Sequence, residues 1–189
     1  MNSETSLLPF PVPLPEKIFM VVGKNALSDK MLQLISLLCL KQPVTVLDCG
    51  NRSNMYAVAK LIRPFTSDPV GVMSHIRLSR AFTCIQVLAM LQSVSGTPPR
   101  EPLVVLDLLA TFLDEDVKLK DSQRLLTHSI ACLKKLSQSA PVVISVRPIP
   151  AISQERSVLL EQLRSHVDVA WEEPAPLPAG SALQPTLFG

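Results

Sequence analysis

Net charge is nearly absent from this chain: 18 Lys and Arg stand against 16 Asp and Glu, a formal +2 over 189 residues. Non-specific binding to nucleic acid rests on many phosphate contacts made at once, so the balance excludes a broadly basic nucleic-acid binder and leaves room for a local contact. No CxxC pair is present. Cys39, Cys49, Cys84 and Cys132 lie far apart, each in or beside an apolar segment, and His75, His128 and His166 are equally scattered. That pattern assigns no metal and no disulfide, and reads as small buried hydrophobes in a reducing compartment. An apolar run of membrane length is also missing, since the longest, Met31 to Leu40, is short and interrupted by Gln33 and Ser36. The N-terminus carries no basic segment leading into an apolar core, so no secretory signal is read there and the expected location is the cytoplasm.

What is present describes a globular chain. Hydrophobic residues make up 47% and charged residues 18%, enough apolar material for one well-buried domain with tails. Its organising stretch is Pro102 to Asp107, PLVVLD, an uninterrupted apolar run ending in one carboxylate. Such runs are strands buried on both faces of a parallel sheet, and an acid at the C-terminal tip lies where open α/β sheets bind ligands.

The same pattern recurs along the chain. Lys17 to Val22 reads as the first strand and Pro43 to Asp48 as another that ends in an acid. Pro69 to Ile76, Ala140 to Val146 and Val167 to Trp171 complete the set of expected strands. Between them Leu27, Met31, Leu34 and Leu38 recur at helical spacing, as do Met55, Val58 and Ile62, then Ile85, Leu88 and Leu91. Leu125, Leu126, Ile130, Leu133 and Leu136 mark a further helix with Asp121 and Ser122 as candidate caps, and Arg156 to His166 a last one. FLDEDVKLKDSQ, with charges of both signs, reads as a loop. Strands alternating with helices imply right-handed crossovers and a mainly parallel central sheet between two helical layers. The expected domains are a proline-rich arm over 1–16, an α/β domain over 17–172 and a tail over 173–189.

Strand, glycine and helix follow one another at Gly23, the layout of a phosphate-binding loop. A working loop needs G-x-x-x-x-G-K-[ST], so that backbone N–H groups wrap the phosphates, Lys neutralises them and the hydroxyl binds magnesium. Here Gly23 is followed after four residues by Ser28, Asp29 and Lys30. Serine replaces the second glycine and an acid replaces the lysine, which argues against ordinary ATP binding. Lys24 and Lys30 are the remaining basic candidates, and Ser28 or Asp29 is the expected helix cap.

Three segments together resemble the RecA/KaiC recombinase superfamily: VTVLDCGNRSNMYAVAKLI, HIRLSRAFTCIQVLAML with its Arg80-Ala81-Phe82 triplet, and PLVVLDLLATF with Asp107 as the acid of a Walker B strand. The resemblance covers about residues 17 to 172 and implies a three-layer RecA-like P-loop fold. It makes Gly23, Lys24, Ser28, Lys30, Asp48 and Asp107 the positions of a vestigial nucleotide site. The turn after Asp48 reads Cys49, Gly50, Asn51, where the family carries the glutamate that activates water. Without that base and the phosphate-binding lysine, little or no ATP hydrolysis is expected, no catalytic residue is assigned and no cofactor is required. VVISVRP would then lead to the second DNA-binding loop.

From Glu172 the tail is rich in proline, alanine and glycine, lacks periodicity and reads as disordered. It ends in Gln184, Pro185, Thr186, Leu187 and Phe188, which resembles the Q-x-x-L-F peptide that bacterial repair and polymerase factors dock on the sliding clamp. The combined expectation is a non-catalytic, nucleoid-associated RecA-like accessory protein in DNA repair, recombination or translesion synthesis. Its expected partners are the clamp, through Gln184, Leu187 and Phe188, and a recombinase or repair polymerase. Two alternatives stand beside it: a divergent ATPase that binds ATP with magnesium and single-stranded DNA, and a DNA-binding module. Lys118, Lys120 and Arg124 in one loop, with Arg147 and Arg156 in another, are the candidate DNA contacts.

Overall fold

The computed structural model describes residues 16–174; the N-terminal arm up to residue 15 and the C-terminal tail, with Gln184, Leu187 and Phe188, lie outside the described residues. The chain runs β1 (Ile18–Val22), α1 (Ser28–Cys39), β2 (Val44–Asp48), α2 (Met55–Ile62), α3 (Pro69–Met73), β3 (Ile76–Arg80) and α4 (Cys84–Gly96). It continues through β4 (Leu103–Leu106), α5 (Leu119–Ser137), β5 (Val142–Val146), α6 (Ser157–Arg164) and β6 (Val169–Glu172). All six strands are parallel, in the order β3-β2-β4-β5-β1-β6. The α/β class and the parallel sheet between helical layers are as the alternating pattern predicts.

Side-chain alternation builds the two layers. Phe19, Val21, Val44, Val46, Val104 and Leu106 turn to one face and pack with Met31, Leu34 and Ile35 of α1 and with Val58 and Ile62 of α2. Met20, Leu47, Val105 and Ile144 turn to the other, against Leu91 of α4, Leu126, Ile130 and Leu133 of α5, and Leu159 and Leu163 of α6. β1, β2, β4 and β5 are buried at every position, which is why each reads as a continuous apolar run. Each fully buried aliphatic side chain contributes about 1.5–3 kcal/mol relative to exposure.

Connections leave β1 and β2 toward the β3 edge, whereas those from β3, β4 and β5 run toward β6. Right-handed crossovers therefore place their helices on opposite faces, and the two directions diverge between β2 and β4. That is a topological switch point, at which the C-terminal strand ends open a crevice.

Several local expectations are corrected. Residues 69–75 are not a strand: Asp68 Oδ1 accepts from the Gly71 N–H at 2.9 Å and Pro69 opens α3, the pairing of cap and first-turn proline that starts a helix. The strand of this region is β3, whose exposed IRLSR lacks an apolar run because it lies at the sheet edge. The charged segment 112–123 is non-helical as far as Lys118, the N-terminal boundary of α5, and its last five residues are helix, with no side-chain cap from Asp121 or Ser122. Neither Ser28 nor Asp29 caps α1; Leu27 holds that position in left-handed backbone, and the Ser28 hydroxyl donates to the Asn25 carbonyl at 2.7 Å. Ile85 points outward from α4, where Cys84, Val87 and Leu91 are buried instead. The last helix begins at Ser157.

Candidate functional site

β2 and β4 are neighbours in register, Asp48 opposite Leu106, so their parallel run brings Asp48 and Asp107 to adjoining strand ends. Both carboxylates are fully buried. Asp48 is satisfied through both oxygens, whereas Asp107 is paired through Oδ2 alone and its Oδ1 is buried without a hydrogen-bond partner among the described residues. The Asp48 side chain accepts from the backbone N–H of Gly50, Arg52 and Ser53, from the Ser53 hydroxyl, and from Arg80 Nε at 3.1 Å. One carboxylate thus ties the whole turn 49–53 to the strand. Burial pushes the Asp48 carboxyl up, but hydrogen bonds from Ser53 and from the Arg52 and Ser53 N–H groups, with the Arg80 charge, outweigh it and hold the group below its ordinary value.

The turn so fixed aims Arg52 at the next strand. Arg52 Nε donates to Asp107 Oδ2 at 3.0 Å, and Arg147 Nε, just past β5, lies 3.8 Å from the same oxygen. Asp107 itself sits at φ 50°, a left-handed backbone that a non-glycine residue adopts at a cost of about 1–2 kcal/mol. Its N–H donates to the Ser145 hydroxyl at 3.0 Å, which pins the turn to β5. Gly50 allows the approach, because a Cβ there would stand 2.5 Å from the Asp107 Cβ. Burial pushes the thiol of Cys49 far up, with Asp48 and Asp107 adding to it, so the thiol stays protonated and unreactive.

A magnesium ion demands oxygen ligands in a near-octahedral array. At Asp107, Oδ2 already holds the Arg52 guanidinium with Arg147 close by, and Oδ1 alone is unpartnered; a single free oxygen beside two cations does not fit the ion. Among the described residues no group of three or more His, Cys, Asp or Glu is placed to hold a metal.

The loop after Gly23 is likewise not a phosphate cradle. Asn25, Ala26 and Leu27 are all left-handed, at φ 52°, 53° and 52°, and Ala26 and Leu27 turn inward and are buried. The Lys24 N–H donates to Glu173 Oε2 at 2.9 Å, so a carboxylate of the chain itself occupies a donor that a phosphate loop would offer to its ligand. A Cβ on Gly23 would meet Leu27 Cδ2 at 2.7 Å and Glu173 Oε2 at 2.8 Å. Lys24, Ser28, Asp29, Lys30, Arg52 and Glu173 surround a cavity of about 450 Å³. The fold therefore brings the loop positions beside Arg52, with the acids Asp29 and Glu173 among the bases.

The candidate DNA contacts do not form one basic surface. Lys118, Lys120 and Arg124 are exposed along the first turns of α5, and Arg124 pairs with Asp121 at 3.5 Å. Arg147 belongs to the acid cluster. Arg156 is 4% exposed and donates to the carbonyls of Phe112 at 3.0 Å and Val117 at 2.6 Å, with the Ser122 hydroxyl at 3.4 Å. It is a structural cation, unavailable to a phosphate.

Sequence reasoning passed over Arg52, and it named Arg80 as part of the Arg80-Ala81-Phe82 triplet without a role at the site. Their signal was the need of two buried strand-end acids for cations, and the first arginine after β2, the last residue of β3 and the first after β5 meet it. Among the described residues no helix is long and apolar enough to cross a membrane. No protein-family model matches the chain, and no curated protein matches it.

Proposed function

We propose that this protein is a non-hydrolysing, RecA-like α/β module that works through protein contacts in DNA repair, recombination or translesion synthesis. The observation that carries the non-catalytic part is the pairing of Arg52 with Asp107. In phosphoryl transfer a strand-end acid at such a position must address a magnesium ion, and the lysine and general base that complete the chemistry have no counterpart in Asp29 and Gly50–Asn51. Supporting it, Glu173 rests on the Lys24 N–H, and Ala26 and Leu27 fill the inner side of the loop. The repair context rests on the resemblance of the three core segments and of Gln184, Leu187 and Phe188 to a clamp-docking peptide. A short peptide with a hydrogen-bonding Gln and two adjacent apolar side chains makes a compact anchor.

The test is binding of the purified full chain to the sliding clamp, with and without Leu187→Ala plus Phe188→Ala. Micromolar binding that disappears in the double variant supports the reading; an intact tail that does not bind sinks the tether.

One observation favours a second reading, a divergent nucleotide binder: Lys24, Lys30 and Arg52 line the same cavity at the start of α1. Its mark would be magnesium-dependent ATP binding lost in Asp107→Ala.

A further inference from the structure

A cleft of about 460 Å³ opens at the switch point between β2 and β4, walled by the turn after β2 at Gly50 and Asn51, Phe82 after β3, Thr111 after β4, and Arg147 and Ser153 after β5. Its volume is that of an ordinary ligand site. Two polar atoms at its wall, Thr111 Oγ1 and Arg147 Nε, are buried and have no hydrogen-bond partner among the described residues. Native structures rarely leave such groups unmatched.

Arg147 is the loosely held cation of the crevice. Arg52, Arg80 and Arg147 converge on Asp48 and Asp107, three cations on two anions, and Arg147 is the one held at the longer distance of 3.8 Å. Asp114, the acid of the cleft's own lining, brings the anions to three; it is exposed, and its Oδ1 accepts from the Asp116 N–H at 3.0 Å. Phe82 in the lining is 67% exposed, and Ile85, three residues on, and Ile152, next to Ser153, are exposed at 67% and 87%. An arginine sharing a cleft with an exposed aromatic side chain has the composition of a protein-docking hot spot.

We propose that the cleft is the docking site for a segment of a partner protein that presents a single Asp or Glu carboxylate beside aliphatic or aromatic side chains. The carboxylate meets the Arg147 guanidinium, whose planar fork suits it, and takes a hydrogen bond from the Thr111 hydroxyl. The apolar neighbours cover Phe82, Ile85 and Ile152. Asp114, with Glu115 and Asp116 beside it, opposes a second acid and opposes a phosphate backbone, so the partner is neither polyacidic nor nucleic acid. The inference deepens the reading of a protein-contact module and rests on the crevice not being a catalytic centre.

The experiment is selection of a displayed random heptapeptide library on the full chain, with Arg147→Gln as counter-target, followed by fluorescence anisotropy on the best peptide. Expected is enrichment of one acid beside Leu, Ile or Phe. Binding should weaken about ten- to a hundredfold in Arg147→Gln, and as much when the peptide's acid becomes its amide, the scale of a charge-assisted bond. Thr111→Val should weaken it less, and Lys24→Ala should leave it unchanged. If Arg147→Gln fails to fold, Arg147→Lys replaces it, keeping the charge but losing the fork. Peptides without an acid, equal binding by both proteins, or saturable binding of inorganic phosphate with no peptide enriched would each overturn the proposal. ATP binding measured in parallel reports on the non-catalytic reading separately.

Discussion

Arg52 Nε lies 3.0 Å from Asp107 Oδ2 although 55 positions separate the two residues, and the carboxylate is fully buried while the arginine side chain keeps 26% of its exposure. The pair spans the β2 and β4 strand ends and closes the place where a metal-bound acid would work. Removing the cation leaves a buried charge with Arg147 as its remaining neighbour, so Arg52→Ala should destabilise the fold by about 3 kcal/mol in urea denaturation. Adding Asp107→Asn to it should recover part of that loss, because the uncompensated charge goes too. A double variant as unstable as the sum of its singles would show that the two groups do not interact.

A second consequence concerns the turn itself. Gly50→Ala places a methyl 2.5 Å from the Asp107 Cβ and 2.7 Å from its Oδ2, and the backbone of the turn cannot retreat while Asp48 holds it. Overpacking of this kind costs about 1–3 kcal/mol. The loss should appear as a lowered unfolding midpoint, and it should be smaller in an Asp107→Gly background, where the clash is absent.

What was legible in the sequence follows burial. β1, β2, β4 and β5 are sealed on both faces, so their apolar runs announced them, and α5 kept a clean apolar stripe at Leu126, Ile130 and Leu133. β3 was missed because an edge strand needs no apolar run, and PVGVM imitated one while its Asp68 cap and Pro69 made it a helix. Of the site, Asp48 and Asp107 were visible as acids ending strands. Arg52 was not, since an arginine among Gly, Asn and Ser reads as a solvated turn until the sheet order sets β4 beside β2. Arg156 misled in the opposite sense: the carbonyls that bury it come from residues 112 and 117, far away in sequence.

Acid should expose the role of Asp48. Its folded-state pKa is held below the unfolded value near ~3.9, so the folded state binds fewer protons and the stabilisation is complete above that value. It is lost as pH falls through the folded pKa. Ser53→Ala removes one of the bonds that lower the pKa. The variant should therefore be less stable than the parent above about pH 4, and the gap should close as pH falls through the folded pKa, as read from urea midpoints across an acid series. Parallel curves would show that the Ser53 hydroxyl does not set the titration.

Arg156 gives the sharpest contrast between a DNA contact and a structural cation. Its guanidinium satisfies two main-chain carbonyls in the segment between β4 and α5 and reaches the Ser122 hydroxyl of α5. Truncation to alanine leaves those acceptors buried without donors, each worth about 1–3 kcal/mol, and a total near 3 kcal/mol is expected after relaxation. Arg156→Lys should recover little of it, because a single ammonium on a flexible stem does not reproduce the fork. A phosphate contact would behave otherwise: lysine would rescue it, stability would hold, and the salt dependence of DNA binding would flatten. Denaturation curves of both variants therefore decide the assignment. Unchanged stability in Arg156→Ala would overturn the structural role.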